Sequence, residues 1–153
     1  MLEPPRYLKD LRLSRLLMFS ERKYQRFLAP VLREHGVGAS DYPILLGLFH
    51  AKNAGVEAMS QTEIAVHNIQ DNALVTRAVR SLIQKGLLTR AVDPSNRSRH
   101  LVSLTEKGYE VARSIDASIR EWEDGLWDVF GDEEPVARRL FAKLAESYLA
   151  SGK

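Results

Sequence analysis

The chain has 153 residues, of which 44% are hydrophobic and 27% charged, a composition typical of one globular domain that buries a core. It contains no cysteine, which excludes disulfides, thiolate metal sites and cysteine-based redox switches. The net charge is only +2, but residues 76–110 carry seven Lys or Arg against three Asp or Glu, a local basic block that suits contact with a polyanion.

The N-terminal region shows no pattern for export or membrane insertion. Arg12 and Arg15 interrupt its only apolar stretch, which argues against a signal peptide. No run of about 18 apolar residues occurs in the sequence, so we expect no transmembrane helix and no membrane partner. Together with the absence of cysteine, these features predict a cytoplasmic protein.

The N-terminal part of the chain predicts two helices. Apolar residues recur at helical spacing from Leu8 to about Arg33, which indicates one long helix. A second helix is expected to follow, with either Ser40 or Asp41 as its N-cap and Pro43 in its first turn.

The next segment predicts a helix-turn-helix. Residues 60–63 (Ser-Gln-Thr-Glu) form a capping box for a short helix that runs to about His67. Residues 68–70 then form a tight turn, Asp71 is a good N-cap for a longer helix, and Gly86 ends that helix. A short helix, a three-residue turn and a longer helix are the parts of this motif.

The helix over residues 71–85 has an apolar side and a basic side. Its inward stripe is expected to consist of Leu74, Val75, Val79, Leu82 and Ile83. Its outward face carries Asn72, Ala73, Thr76, Arg77, Arg80 and Gln84. This outward face suits a DNA major groove, because small residues permit close approach and polar ones supply donors to bases and phosphates. The alternative is an ordinary amphipathic helix with a solvated basic face.

Residues 87–104 predict a β-hairpin, since two β-prone runs flank a turn rich in Pro, Ser and Asn. The tip carries Arg97 and Arg99, with only Asp93 to offset their charge. A hairpin directly after a helix-turn-helix is a wing, and we expect its arginines to enter the minor groove, where the potential is most negative. The alternative is a solvated loop whose arginines serve solubility.

The C-terminal part predicts two more helices. Thr105 is a suitable N-cap for a helix of about 25 residues with a continuous apolar seam, and Gly131 breaks the chain before the last helix. The long helices carry more apolar residues than a monomer of this size easily covers, which indicates a homodimer interface.

Four segments together resemble the multiple-antibiotic-resistance regulator (MarR) family of winged-helix repressors. They are VTRAVRSL at 75–82, KGLLTR at 85–90, Asp93-Pro94 and LVSLTEKG at 101–108. Two departures are evident. At the wing tip, relatives usually carry Asp-x-Arg or Asp-Arg-Arg, whereas this chain has Asn96-Arg97-Ser98-Arg99. Arg97 can match the family arginine of the second pattern, and Arg99 is displaced. The turn over residues 68–70 also lacks the glycine often found there.

The resemblance implies a mainly α (α+β) fold in a single domain over residues 1–153. A winged helix-turn-helix over 40–104 would be flanked by helices over 8–35 and 105–151 that form an obligate homodimer. Its partner would be double-stranded DNA, with a pseudo-palindromic operator whose half-sites lie ~10 base pairs apart. The recognition helix over 71–85 would place Asn72, Ala73, Thr76, Arg77 and Arg80 in the major groove. The wing over 87–104 would bring Arg97 and Arg99 to the minor groove.

Many members of this family release DNA when a small aromatic or phenolic ligand binds between the dimer helices and the winged domain. The candidate ligand residues here are Arg15 and Phe19 on the first helix and His50 on the second. An arginine on a semi-apolar stripe can pair with a ligand carboxylate in a fork geometry. The alternatives are that Arg15 extends to solvent or pairs with an acidic residue of the dimer partner, and that His50 is structural.

Neither a metal, a cofactor nor catalysis is expected. The four histidines lie in separate predicted elements, and none has a histidine partner four residues away. The sequence contains no G-x-S-x-G, no Gly-rich phosphate loop and no H-E-x-x-H. The remaining alternative to a DNA-binding regulator is a winged-helix protein-interaction module, which would present an acidic or apolar recognition helix; Arg77 and Arg80 argue against it.

Overall fold

The computed structural model describes residues 12–150, so the predicted start of the first helix at Leu8 and residue 151 lie outside the described residues. The elements are α1 (Leu13–Glu34), α2 (Tyr42–Asn53), α3 (Gln61–Asn68), α4 (Asn72–Gln84), β1 (Leu88–Asp93), β2 (Asn96–Leu104), α5 (Glu106–Trp127), a 3-10 helix (Asp128–Glu133) and α6 (Glu134–Ala150). The predicted fold class is confirmed, because long helices flank a helix-turn-helix that is followed by a two-stranded wing.

Three helix starts are fixed by the side chains that the sequence predicts as caps. In α3 the Ser60 amide donates to Glu63 Oε2 at 2.7 Å, and the Glu63 amide donates to Ser60 Oγ at 3.3 Å. Asp71 caps α4 and Thr105 caps α5, accepting amide hydrogen bonds at 2.8 and 2.9 Å. These bonds satisfy amide groups that have no partner inside the helix.

The start of α2 is built differently from the prediction. Asp41 occupies the N-cap position, but its carboxylate does not cap the helix. Instead, the buried Asp41 Oδ2 accepts hydrogen bonds from Ser81 Oγ at 2.7 Å and from Lys85 Nζ at 2.9 Å, both near the end of α4. The carboxylate therefore joins α2 to α4, because these donors approach it closely in the fold although they lie 40 residues or more away in sequence.

The core surrounds α2, whose residues from Ile44 to Phe49 are all buried. Its other main members are Leu28 and Leu32 of α1, Val75, Val79 and Leu82 of α4, Val102 of β2, and Ile115 and Ile119 of α5. A single core therefore includes the winged part and the two long helices beside it.

The wing is an antiparallel hairpin in which Leu88 pairs with Leu104, and its register is irregular between Val92 and Asp93. A separate β-bridge connects β2 to the residue before the α3 cap. The Met59 amide donates to the Val102 carbonyl at 3.0 Å, and the Val102 amide donates to the Met59 carbonyl at 2.8 Å.

The first half of α1, the end of α5, the 3-10 helix and α6 expose many apolar side chains. They include Leu13, Leu16, Leu17, Met18, Phe19, Leu126, Val129, Phe130, Val136, Leu140 and Phe141. The break predicted at Gly131 is present, with φ at 50°. None of the helices in residues 12–150 combines the length and apolar character needed to cross a bilayer.

Candidate nucleic-acid interface

The outward face of α4 is mostly free of intramolecular contacts. Asn72, Ala73, Arg77 and Arg80 are exposed and Thr76 is half-buried. Within the described chain, neither Arg77 nor Arg80 pairs with a carboxylate. The two guanidinium groups are therefore available to an external anion.

The inward stripe of α4 is narrower than predicted. Val75, Ala78, Val79 and Leu82 are buried, whereas Leu74 is 40% and Ile83 36% exposed. The prediction was wrong for these two residues, because each lies about 90° around the helix from the centre of the buried stripe. The available face of α4 is correspondingly wider.

Thr76 contacts a residue that the sequence does not single out. Its Oγ lies 2.8 Å from the Asn72 carbonyl and 3.2 Å from Oε1 of Gln61, the first residue of α3. Because the side-chain oxygen of Gln61 faces Thr76, the NH₂ group of the same side chain can donate hydrogen bonds to other groups. Its position next to Thr76 depends on how α3 packs on α4, so local sequence gave no signal for it.

The turn between α3 and α4 uses an unusual residue. Ile69 ends α3 in the left-handed conformation, with φ 52° and ψ 48°, and its side chain is 64% exposed. Glycine is the residue that adopts this conformation without strain. Ile69 therefore holds a conformation that strains an isoleucine and that glycine would adopt freely.

The two wing arginines differ in their surroundings. Arg97 is exposed and has no carboxylate partner in the described residues. Arg99 is paired twice: a terminal guanidinium nitrogen lies 2.6 Å from Glu63 Oε2 in α3, and Nε lies 3.7 Å from Asp93 Oδ2 in β1. Arg97 is therefore available to an external anion, whereas Arg99 is held within the protein.

The pKa values around Arg99 follow from these contacts. The pKa of Glu63 is lowered to about 2, first by the hydrogen bond from Arg99 and then by the Ser60 amide and hydroxyl. The pKa of Asp93 is lowered mainly by the hydroxyl and amide of Ser95, which donate to Oδ1 at 2.7 and 2.8 Å. Both carboxylates are therefore ionised near neutral pH and hold a charged guanidinium.

The residues predicted to bind a ligand are not brought together into one site. Arg15 and Phe19 are exposed neighbours on α1, with the guanidinium carbon 5.5 Å from the centre of the phenyl ring. His50 instead contacts α5, where its Nε2 lies 2.8 Å from Asp116 Oδ1, while Arg120 Nε donates to Asp116 Oδ2 at 2.7 Å. This contact fits the structural alternative for His50.

A cavity of about 410 Å³ lies between α1, the end of α5, the 3-10 helix and α6, but none of the predicted ligand residues lines it. Its apolar lining includes Leu17, Trp122, Leu126, Trp127, Phe130 and Phe141. Among residues 12–150 there is also no group of three or more His, Asp or Glu arranged to hold a metal ion.

Comparisons with known proteins agree with this geometry. Residues 57–108 match the profile of a winged helix DNA-binding domain. The chain is 30% identical over 105 residues to YdgJ of Bacillus subtilis (strain 168), an uncharacterized HTH-type transcriptional regulator. That alignment covers 69% of this chain and 59% of YdgJ, so the chain spans less than two thirds of that relative.

Solved structures extend the likeness to nearly the whole chain. The chain is similar to MarR at 26% identity with a TM-score of 0.77, covering 98% of this chain and 97% of that one. It is also similar in fold to the S. aureus MepR–DNA complex, at 20% identity and a TM-score of 0.77, covering 91% and 99%. The family predicted from the sequence is therefore confirmed, and it is a family of regulators rather than of enzymes. The chain belongs to the MarR family of winged-helix transcriptional regulators.

Proposed function

We propose that the chain binds double-stranded DNA as a homodimer and regulates transcription, most simply as a repressor. The observation that carries this proposal is the set of exposed arginines on α4 and the wing that have no carboxylate partner within the described part of the chain: Arg77, Arg80 and Arg97. A basic face with this pattern suits a phosphate backbone. The fold shared with MepR, whose structure was solved with DNA, supports the same interpretation.

In this proposal α4 enters the major groove and the wing reaches the minor groove. Asn72, Ala73 and Thr76 lie on the face of α4 that would approach the base edges, while Arg77 and Arg80 supply donors to phosphates and bases. Gln61 beside Thr76 is an additional candidate for a phosphate contact. Arg97 is the wing residue that enters the minor groove. Such a regulator would act in the cytoplasm.

The homodimer is proposed from the exposed apolar side chains of α1, the end of α5 and α6. Leu13 is 58%, Leu140 58% and Phe141 51% exposed. Burying these side chains against a second copy removes their apolar area from water. A two-fold dimer would place two copies of α4 on half-sites ~10 base pairs apart.

We propose further that a small aromatic acid or phenol releases the DNA. Arg15 and Phe19 support this, since a guanidinium without a carboxylate partner among residues 12–150, beside an exposed phenyl ring, offers a fork for a carboxylate and a surface for a ring. Benzoate and salicylate are suitable first compounds. If Arg15→Ala leaves their effect on DNA binding unchanged in an intact dimer, Arg15 has no role in ligand binding.

The test of DNA binding uses duplexes of ~30 base pairs selected by the protein from a random library, titrated at several salt concentrations. We expect Arg77→Ala and Arg97→Ala each to weaken binding and to lower the salt slope by about 0.9 per protomer, or about 1.8 for the proposed dimer. Arg113→Ala is the matched control, because Arg113 pairs with Glu110 on α5 outside the proposed interface. A folded dimer that selects no duplex would contradict the proposal and favour a protein-interaction module.

A further inference from the structure

The wing is attached to the α3 region at two points. The first is the backbone bridge between Met59 and Val102, with hydrogen bonds of 2.8 and 3.0 Å. The second is the ion pair between Glu63 and Arg99 at 2.6 Å. The two attachments are three residues apart along β2 and four residues apart along the segment that enters α3. Because the ion pair lies away from the backbone bridge, it restricts rotation of the hairpin about that bridge.

The second attachment is part of a larger network. Glu63 Oε2, which contacts Arg99, also accepts hydrogen bonds from the amide and hydroxyl of Ser60 at 2.7 and 2.8 Å. On its other side Arg99 faces Asp93, which is 6% exposed and held by Ser95. The guanidinium therefore lies between the capping box of α3 and the turn of the hairpin.

We infer that Arg99 is a positioning residue that sets the angle of the wing relative to α3 and α4, so that Arg97 reaches the minor groove. It acts through Glu63 and Asp93 and not through a phosphate. The part of this inference that concerns the minor groove rests on the proposed DNA binding. The attachment itself is a property of the free protein and is tested separately.

A direct phosphate contact by Arg99 is the competing explanation, and the two differ in their salt dependence. A cation that contacts a phosphate contributes about 0.9 to the slope of log K against log salt concentration. A cation already held by two carboxylates releases few counterions on binding. Its removal should weaken binding without changing the slope.

The first experiment measures amide hydrogen exchange of the wing in the full chain without DNA. We expect Arg99→Ala to speed exchange in residues 89–103 by about threefold, because the hairpin opens more often once one attachment is lost. Arg97→Ala is the matched control and should leave wing exchange unchanged. Equal exchange in both variants and the wild type would overturn the inference, whether or not the protein binds DNA.

The second experiment uses Glu63→Gln, because glutamine keeps the capping-box acceptor but loses the charge that holds Arg99. Removing a negative charge from a DNA-binding unit should by itself strengthen binding, whereas loss of the wing attachment should weaken it. We expect binding to the selected duplex to weaken about threefold with an unchanged salt slope. Stronger binding by Glu63→Gln would overturn the inference.

The double variant Glu63→Gln with Arg99→Ala completes a cycle. We expect it to bind no more weakly than Arg99→Ala alone, because both substitutions remove one attachment. Additive weakening, or a slope reduced by about 0.9 per protomer (about 1.8 for the proposed dimer) in Arg99→Ala, would assign Arg99 to a phosphate instead. If the wild-type protein selects no duplex, the proposed function fails, while the exchange experiment still decides the attachment.

Discussion

Gly108 lies where the first turn of α5 presses against the connection between α4 and β1. A Cβ added at this position would lie 1.9 Å from the Leu87 carbonyl oxygen, 2.8 Å from its carbonyl carbon and 3.1 Å from its Cα. All three atoms belong to the backbone, so no side chain can rotate away. To accept alanine, the backbone would have to separate by more than about 1 Å, since real Cβ contacts below 3.0 Å are essentially absent.

The Leu87 carbonyl also accepts hydrogen bonds from the residue that caps α5. The Thr105 amide donates to the Leu87 carbonyl at 3.0 Å, and the Thr105 hydroxyl lies 3.1 Å from it and 2.7 Å from the Gly86 carbonyl. Overpacking costs about 1–3 kcal/mol, and each weakened hydrogen bond adds about 0.5–1.5 kcal/mol. Alanine gains about 1 kcal/mol of helix propensity over glycine. We therefore expect Gly108→Ala to lower the free energy of unfolding by about 2–4 kcal/mol.

Gly125 provides the matched control, because it lies in the same helix and an added Cβ there meets no atom within 4 Å. Gly125→Ala should raise the free energy of unfolding by about 0.5–1 kcal/mol through helix propensity alone. The same chemical change is therefore expected to have opposite signs at two positions of one helix.

The assay is urea denaturation followed by circular dichroism, with all variants at one protein concentration because the apparent stability of the proposed dimer would depend on it. The midpoint should fall for Gly108→Ala and rise for Gly125→Ala. If Gly108→Ala is as stable as the wild type, the close approach of α5 to Leu87 is refuted as a constraint on the fold.

Two other substitutions test local features. Ile69→Gly should raise the free energy of unfolding by about 1 kcal/mol in urea denaturation, because glycine adopts the left-handed conformation without strain and the lost side chain is mostly exposed. Ile69→Val is the control. Equal denaturation midpoints for the wild type and both variants would contradict this prediction. Burial alone would raise the pKa of Asp116, but hydrogen bonds from His50 and Arg120 outweigh it and lower that pKa below its ordinary 3.8. Ionised Asp116 therefore stabilises the fold at pH values above its ordinary pKa, and this stabilisation is lost as the pH falls through the lowered pKa. Asp116→Asn should lower the free energy of unfolding more at about pH 5 than at about pH 2. A cost that is equal at both pH values would show that the hydrogen bonds do not favour the ionised form.

Features carried by short sequence patterns were predicted well from the sequence. The capping box at residues 60–63, the N-caps Asp71 and Thr105 and the break at Gly131 all lie where they were expected. Each depends on residues within a few positions of one another, so local physical chemistry determines it. The order of these elements was enough to predict the fold class.

Features that depend on distant partners were not predictable in the same way. Asp41 is a suitable N-cap by its local sequence, but Lys85 and Ser81 take its carboxylate when α4 packs against α2. Ile69 fits no turn rule, yet the packing of α3 and α4 keeps it in the left-handed conformation. In both cases tertiary packing overrides a local preference.

The basic block over residues 76–110 shows why a count of charges cannot identify an interface. Arg97 and Arg99 are two residues apart in β2, yet Arg99 lies closer to the bridge at Val102 and finds two carboxylates. Lys85 is likewise held by Asp41, whereas Arg77 on the same helix has no carboxylate partner in the described chain. The cations that pair with carboxylates stabilise the winged helix-turn-helix. The cations without such a partner in the described residues are available to DNA. The block contains seven cations, and five remain when the paired Lys85 and Arg99 are set aside. At about 0.9 for each cation, the contribution of the block to the salt slope should not exceed about 4.5 per protomer.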